Sequence, residues 1–257
     1  MINITRRYLL GVDLAKSFDF TSFAIIEMEY QAVIKDYVYH LKGLDRIRGV
    51  DYPKINEVIL STVAHLEKEK LPDTEDGPHL CIDGSGLGAP VKDFLKHAHV
   101  FTTHKQIFPV IFTGGESARY DSVTQNYNIS KPLIIGNFRS LMQHKRFDYA
   151  PDIKALPLLE EEIARFQRHQ TAGGRDGYDA ETGAHDDLIC AVAIPLIIAE
   201  WRFRKAPTGP LNFAGATKTG INSSIGGGPN WFTEAARGHN HGGQGATFIG
   251  GINHRSR

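Results

Sequence analysis

The stretch Tyr8-Leu9-Leu10-Gly11-Val12-Asp13 decides how the first half of the chain is interpreted. It is short, almost wholly apolar and ends in an acid, which is typical of a buried β-strand. Residues 23–28 and 32–40 follow it closely and are rich in Ile, Val, Tyr and Phe. Three strands at this spacing predict an antiparallel meander.

The chain beyond the meander alternates between helical and strand patterns up to about residue 204. Apolar residues at helical spacing predict helices at 53–70, 89–96, 132–143 and 156–168, and a last helix from near His185 to Arg204. Short aliphatic runs predict strands at 80–83 and 107–112. A three-stranded meander followed by parallel αβ units is the layout of the ribonuclease H-like fold. We therefore expect an α/β protein with a mixed central sheet flanked by helices.

The overall composition is that of an ordinary globular protein. The chain has 257 residues, 41% of them hydrophobic, and 29 basic side chains balance 29 acidic ones. These values exclude a collagenous, coiled-coil or wholly disordered chain and a strongly basic, histone-like DNA binder. The longest apolar run, 188–199, is interrupted by Pro195 and is too short to span a bilayer. We expect no membrane partner and a cytoplasmic location.

The composition changes abruptly near residue 205. Residues 205–257 contain 12 of the 26 glycines, with five Lys or Arg side chains against one Glu. Such a segment has too few apolar side chains to offset the entropy of ordering a packed core. We therefore predict a folded domain over 1–204 and a glycine-rich, mildly basic, flexible tail over 205–257.

Acidic residues occupy the ends of predicted elements at three places. Asp13 ends the first strand, Asp83 ends a later one, and Asp186 and Asp187 open the last helix. Each alone is explained by a turn or a helix cap. Together they would concentrate negative charge that is costly to bury without cations. Two Mg²⁺ or Mn²⁺ ions relieve that repulsion and support phosphodiester hydrolysis.

Two cysteines and a set of basic side chains complete the candidate residues. Cys81 and Cys190 lie in apolar segments and are expected to be reduced core residues. DNA contact needs positive charge beside the acids, and Lys16, Lys131 and Arg139 are candidates to supply it. No base-reading element is evident, so little sequence specificity is expected.

The acidic motifs, taken in order, resemble the nuclease domain of the large terminase subunit of tailed bacteriophages. The likeness covers roughly residues 8–203. It is carried by Gly11-Val12-Asp13 with Asp19-Phe20-Thr21-Ser22-Phe23, by Ile82-Asp83-Gly84-Ser85-Gly86-Leu87-Gly88, and by the closing Gly183-Ala184-His185-Asp186-Asp187-Leu188-Ile189-Cys190-Ala191. Phe108-Pro109-Val110-Ile111-Phe112-Thr113 and Lys131-Pro132-Leu133-Ile134 also fit the family's run.

This resemblance implies a metal-dependent DNA endonuclease that cuts concatemeric phage DNA during packaging. It implies that Asp13 bridges both metal ions and that Asp83 completes one site. Asp187 or Asp186 would hold the other ion, and Asp187 is preferred because the acid of the related junction resolvases directly precedes the apolar stretch. His185 would orient that acid or approach the scissile phosphate, and its alternative role is to cap the helix.

The implied partners are double-stranded DNA, the terminase ATPase motor, the small terminase subunit and the portal. The chain contains no G-x-x-x-x-G-K-[ST] loop, so we expect no ATPase activity in it. Three alternatives stay open: a Holliday-junction-resolvase-like nuclease, an actin- or sugar-kinase-like phosphotransferase, and a non-catalytic packaging component. Preference for branched DNA would indicate the first, and nucleotide binding the second.

Overall fold

The computed structural model describes residues 6–14, 19–68, 77–85, 95, 106–114, 117–171, 186–204 and 249–252. Nine strands and four helices lie within these ranges. In chain order they are β1 (Arg6–Asp13), β2 (Phe20–Gln31), β3 (Asp36–Arg48), α1 (Tyr52–Lys68), β4 (His79–Asp83), β5 (Ile107–Thr113), β6 (Ala118–Asp121), β7 (Asn126–Ser130), α2 (Lys131–Gln143), β8 (Phe147–Tyr149), α3 (Leu156–Thr171), α4 (Asp187–Arg202) and β9 (Ile249–Ile252).

The strands form one mixed sheet in the order β6-β7-β5-β4-β1-β2-β3-β8, and β9 also pairs with β3. The neighbours β1, β2 and β3 are antiparallel, which is the predicted meander. On the other side of β1, the strands β4, β5 and β7 run parallel to it. The prediction of a ribonuclease H-like mixed sheet flanked by helices is therefore confirmed.

Each face of the sheet carries its own hydrophobic core. Alternate residues of a strand point to opposite faces, so Leu10 and Phe23 pack against α1 whereas Leu9 and Ile26 lie on the face covered by α4. Every residue of α4 from Leu188 to Glu200 is buried. This explains why the apolar pattern of that helix has no polar face.

The meander differs from its prediction at the turn between β2 and β3. The segment 32–40 was predicted as a strand because it contains several apolar residues, but residues 32–35 form the turn and the strand runs on to Arg48. Val33 and Ile34 are 95% and 50% exposed there. Lys35 has a φ of 53°, a turn conformation that strand patterning cannot reveal.

Three parts of the sheet were missed by sequence reasoning. The β6–β7 hairpin is made of polar residues at a sheet edge, and β8 has only three residues. The strand β9 lies within the segment assigned to the tail and pairs with Gly43–Arg46 of β3.

The helix predicted at 89–96 falls outside the described residues except for Leu95, which is buried. In the part of the chain that the structure describes, no helix has the length and apolar character needed to cross a membrane.

Candidate active site

Strand register brings two of the predicted acids side by side. Gly11 of β1 is paired with Cys81 of β4, and Val12 with Ile82, in parallel. The next residues, Asp13 and Asp83, therefore end neighbouring strands at the same edge of the sheet. Each side chain is 9% exposed. Two carboxyl groups thus meet at one buried point.

A tight turn holds the Asp83 carboxylate in place. The Ser85 N–H donates a 2.8 Å hydrogen bond to Asp83 Oδ1, and the Gly84 N–H donates one of 2.7 Å to the Val110 carbonyl. The Phe112 N–H donates in turn to Ser85 Oγ at 2.9 Å. Ser85 was not singled out as a site residue from the sequence. The Asp-Gly-Ser spacing, typical of an Asx turn, is the signal that could have identified it.

The electrostatics show how strongly the two acids interact. Burial raises the pKa of Asp13 well above its ordinary value, and the charges of Asp83 and Asp187 raise it further. Burial also raises the pKa of Asp83, although hydrogen bonds from Ser85 and Asp13 work in the opposite direction. Both pKa values are raised, so burial of these two neighbouring carboxyls opposes their simultaneous ionisation.

Lys131 lies among these acids. It is the first residue of α2, and its ammonium donates a hydrogen bond to Asp186 Oδ2. Its Nζ also lies 5.9 Å from the centre of the Phe112 ring. Burial alone would lower the pKa of Lys131, but the carboxylates of Asp186 and Asp13 outweigh it, so the pKa lies above its ordinary value. A side chain expected to contact DNA is therefore part of the acid cluster itself.

The two acids at the start of α4 have different environments. Asp186 occupies the N-cap position but makes no side-chain cap hydrogen bond, and its carboxylate is bonded to Lys131. Asp187 is the first helical residue, and its charge acts on Asp13 more strongly than that of Asp186. The two acids therefore differ in their contacts, although the apolar periodicity of the helix does not distinguish them.

Of the other candidate residues that the structure describes, Arg139 lies apart from the acids, whereas the charges of Asp13 and Lys131 act on the Cys190 thiol. His185 and Lys16 lie outside the described residues. Arg139 is on α2, eight residues beyond Lys131, which corresponds to about 12 Å along the helix axis. Cys81 and Cys190 are free thiols and are fully buried, and burial raises the pKa of both, as expected of core residues.

Glu162 of α3 is a further buried acid that the sequence reasoning missed. It is 4% exposed, and its Oε2 accepts a 2.9 Å hydrogen bond from the Ile189 N–H. Burial raises its pKa to about 8, with Asp187 contributing in the same direction and Ile189 and Arg46 opposing. Its place between Leu159 and Ile163, within the apolar stripe of a predicted helix, is the signal that could have revealed it.

A row of residues continues from the acids across the sheet. Asp13 is paired with Ser22 of β2, and Ser22 with Arg46 of β3, so all three lie on the same face. With strands about 4.8 Å apart, Arg46 is roughly 10 Å from Asp13 along this row. The guanidinium carbons of Arg46 and Arg48 lie 4.2 and 5.3 Å from the centre of the Phe20 ring. Two cations thus adjoin the acidic cluster.

The donor chemistry of the cluster fits hard divalent cations. Asp13, Asp83 and Asp187 offer only carboxylate oxygens, the ligands that Mg²⁺ and Mn²⁺ prefer. Among the residues that the structure describes, no three acid, His or Cys side chains stand close enough to form a finished ligand set. Instead the Asp186 carboxylate accepts a hydrogen bond from Lys131, and Asp13 and Asp83 end adjacent strands. The cluster therefore has the composition of a metal site, and its side chains pair with each other.

No protein-family model and no curated protein matches the sequence. Two solved structures are similar to it. The large terminase nuclease from the thermophilic phage G20c is 18% identical with a TM-score of 0.43, and the match covers 74% of this chain and 81% of that one. The Mn-soaked terminase nuclease domain of human cytomegalovirus is 15% identical with a TM-score of 0.44, covering 77% and 86%. The chain is thus similar to nuclease domains of large terminases, as the resemblance of its motifs predicts.

Proposed function

We propose that this chain is a metal-dependent DNA endonuclease of a phage packaging terminase, which hydrolyses phosphodiester bonds of concatemeric viral DNA with two Mg²⁺ or Mn²⁺ ions. The observation that carries the proposal is the meeting of Asp13, Asp83 and the start of α4 at one buried edge of the sheet. Buried acids whose pKa values are raised above the ordinary range are a feature of functional sites. They mark a place where cations would lower the electrostatic cost.

Each acid has a proposed role. Asp13 would be the ligand common to both ions, because the charges of both Asp83 and Asp187 act on it. Asp83 completes one site and Asp187 the other. We assign Asp187 rather than Asp186 because the carboxylate of Asp186 is held by Lys131. The ions, when bound, supply an activated water and stabilise the leaving oxygen.

The cationic side chains have a proposed role in binding DNA. Lys131 places a positive charge beside the acids, where the scissile phosphate would bind. Arg46 is roughly 10 Å from Asp13 across the sheet, which corresponds to about three nucleotides of one strand at a 3.4 Å rise, and Arg48 lies two residues further along β3. Lys16 and Arg139 stay in the proposal as additional contacts.

The wider biological setting is also proposed. Double-stranded DNA is the substrate, and the ATPase motor, the small terminase subunit and the portal are the partners. His185 orients Asp187 or approaches the phosphate. The division into a nuclease domain over residues 1–204 and a glycine-rich, flexible tail over 205–257, with no ATPase activity in this chain, belongs to the same proposal.

Cleavage of supercoiled plasmid by the full chain tests this function. With Mn²⁺ or Mg²⁺ we expect nicking and linearisation, and with EDTA none. Asp13→Asn, Asp83→Asn and Asp187→Asn should each abolish cleavage, whereas Glu57→Gln, an exposed acid on α1, should not. Cleavage that survives Asp13→Asn and Asp83→Asn, or that persists in EDTA, would contradict the proposed site. Strong preference for a four-way junction over linear DNA would favour a resolvase.

A further inference from the structure

The carboxyl group of Glu162 is bonded to the start of a different helix. Glu162 is on α3, and its Oε2 accepts a hydrogen bond from the N–H of Ile189 on α4, 27 residues further along the chain. Both groups are buried. This contact lies two residues from Asp187 and is outside the acid set proposed to hold the ions.

The N–H of Ile189 is a group that needs a partner from outside its own helix. Ile189 is the third residue of α4, and the first four N–H groups of a helix have no intrahelical acceptor. An acidic N-cap residue ordinarily supplies the acceptor for the second or third of them. Asp186 stands at the N-cap of α4 and does not do so.

The reason is that the Asp186 carboxylate is used elsewhere. It points to Lys131 on α2, 55 residues away in sequence. Asp187 lies in the first turn, where its charge acts on Asp13. Asp186 therefore does not cap the Ile189 N–H, and the acceptor comes from Glu162 of α3.

We propose that Glu162 is a positioning residue that caps α4 from the neighbouring helix, and thereby leaves the carboxylates of Asp186 and Asp187 to the acid cluster. The inference rests on the proposed function insofar as that cluster is taken to cleave DNA. Without Glu162, Asp186 is the nearest residue able to cap Ile189, and it would do so by releasing Lys131. Loss of Glu162 would thus disturb the site through the orientation of its acids.

Two substitutions separate capping from direct ion binding. Glu162→Gln keeps a side-chain oxygen that can accept the Ile189 N–H bond but removes the negative charge. Glu162→Leu removes the acceptor and keeps an apolar filling of similar size. Glu161→Gln and Glu161→Leu are the matched controls, because Glu161 is the adjacent residue and its side chain is 55% exposed.

Three measurements on the full chain test the inference. They are hydrogen exchange of the Ile189 amide, Mn²⁺ affinity by calorimetry without DNA, and the kcat and KM of plasmid nicking. For Glu162→Leu we expect hydrogen exchange of the Ile189 amide to be about tenfold faster. Mn²⁺ affinity should be at least tenfold weaker, as it is when other residues that orient metal ligands are replaced. The kcat of nicking should fall while KM stays unchanged. Glu162→Gln and both Glu161 variants should stay near the unsubstituted protein.

Several results would overturn the inference. Unchanged Ile189 exchange and Mn²⁺ affinity in Glu162→Leu would show that no cap was lost. Equal damage by Glu162→Gln and Glu162→Leu would show that the charge matters, as it would for an ion ligand. If Glu162→Leu does not fold, Asp186→Ala decides: faster Ile189 exchange in that variant would show that Asp186 is the cap, and unchanged exchange supports Glu162.

Failure of the inference is distinguishable from failure of the proposed function. If the unsubstituted chain does not cut DNA, the nuclease proposal fails, but Ile189 exchange still reports whether Glu162 is the cap. If the chain cuts DNA and Glu162→Leu behaves as the unsubstituted protein in all three measurements, the nuclease proposal stands and the role of Glu162 is refuted.

Discussion

Gly11 of β1 lies directly against the carbonyl oxygen of Ala191 on α4. A Cβ built at residue 11 would be 2.0 Å from that oxygen and 2.7 Å from Pro195 Cδ. Pro195 has no N–H, so the Ala191 carbonyl oxygen lacks the donor that it would otherwise have four residues further along the helix. Only a residue without a side chain allows the helix to approach this closely. Gly11 is two residues before Asp13 on β1. The contact therefore sets the distance between β1 and α4 close to the acid cluster.

Gly11→Ala is therefore expected to destabilise the protein and to displace α4 from β1. We expect a loss of roughly 1–3 kcal/mol in the free energy of unfolding, as for overpacked cores, measured by urea denaturation. Gly136→Ala on α2 is the control, because a Cβ there meets nothing within 4 Å and alanine favours a helix by about 0.5–1 kcal/mol. Equal stability of Gly11→Ala and the unsubstituted chain would contradict the close contact.

His40 of β3 makes one contribution to stability dependent on pH. Its Nδ1 lies 2.6 Å from Asp148 Oδ1 and its Nε2 lies 3.5 Å from Glu29 Oε2. Burial lowers the pKa of His40, but the hydrogen bond and charge of Asp148 outweigh it and raise the pKa above its ordinary value. The stabilisation is then complete below the unfolded pKa of about 6.5 and is lost as the pH rises through the raised folded pKa.

Asp148→Asn should lower the pKa of His40 and shift this loss of stability to lower pH. The His40 imidazole resonances, followed by NMR across the pH range, measure the first effect directly. Asp51→Asn, an exposed acid before α1, should leave the His40 titration as it was. An identical His40 curve in the Asp148 and Asp51 variants would refute the pairing.

Glu200 anchors the far end of α4 through a buried ionic cluster. Its carboxylate accepts hydrogen bonds from the Tyr39 hydroxyl at 2.6 Å, from Arg146 at 2.6 Å and from Arg204 at 2.8 Å. Glu200→Ala would leave the buried Tyr39 hydroxyl without this acceptor, whereas Arg146 would keep its contact with Asp36, so we expect a cost of about 1–3 kcal/mol.

Glu200→Ala should lower the free energy of unfolding and leave the rate of DNA cleavage unchanged. Glu200 lies 13 residues from Asp187, about 20 Å along the axis, so nicking per folded molecule is expected to stay unchanged at a temperature where the variant is folded. Urea unfolding and plasmid nicking measure the two quantities, with Glu57→Ala as an exposed control. A variant as stable as the control would show that the cluster contributes nothing.

Arg48 is expected to contact the DNA backbone next to the acids. Measured in EDTA on an Asp13→Asn background, Arg48→Gln should weaken DNA binding and lower the slope of log affinity against log salt by about one. Arg165→Gln is the control, because Arg165 is a half-exposed side chain of α3 paired with Glu161. If Arg48→Gln leaves the slope of log affinity against log salt unchanged, Arg48 does not contact the DNA backbone.

Sequence reasoning was most successful where the signal is local. The aliphatic runs of β1 and β4 mark buried strands because side chains on both of their faces are covered. The helices at 53–70, 132–143 and 156–168 were placed within three residues of their observed ends. The β6–β7 hairpin was missed because its strands are polar and lie at an edge, where no apolar alternation is required.

The sequence by itself determined the type of most elements and the presence of an acid at the end of β1, at the end of β4 and at the start of α4. Those features depend on neighbouring residues only. The tertiary structure decided that Asp13 lies beside Asp83 and that Lys131 donates a hydrogen bond to Asp186. It also decided that Glu162 accepts a hydrogen bond from the start of α4. Strand register and helix packing bring together groups that are 27 to 70 residues apart in the chain. No short stretch of sequence contains both members of such a pair.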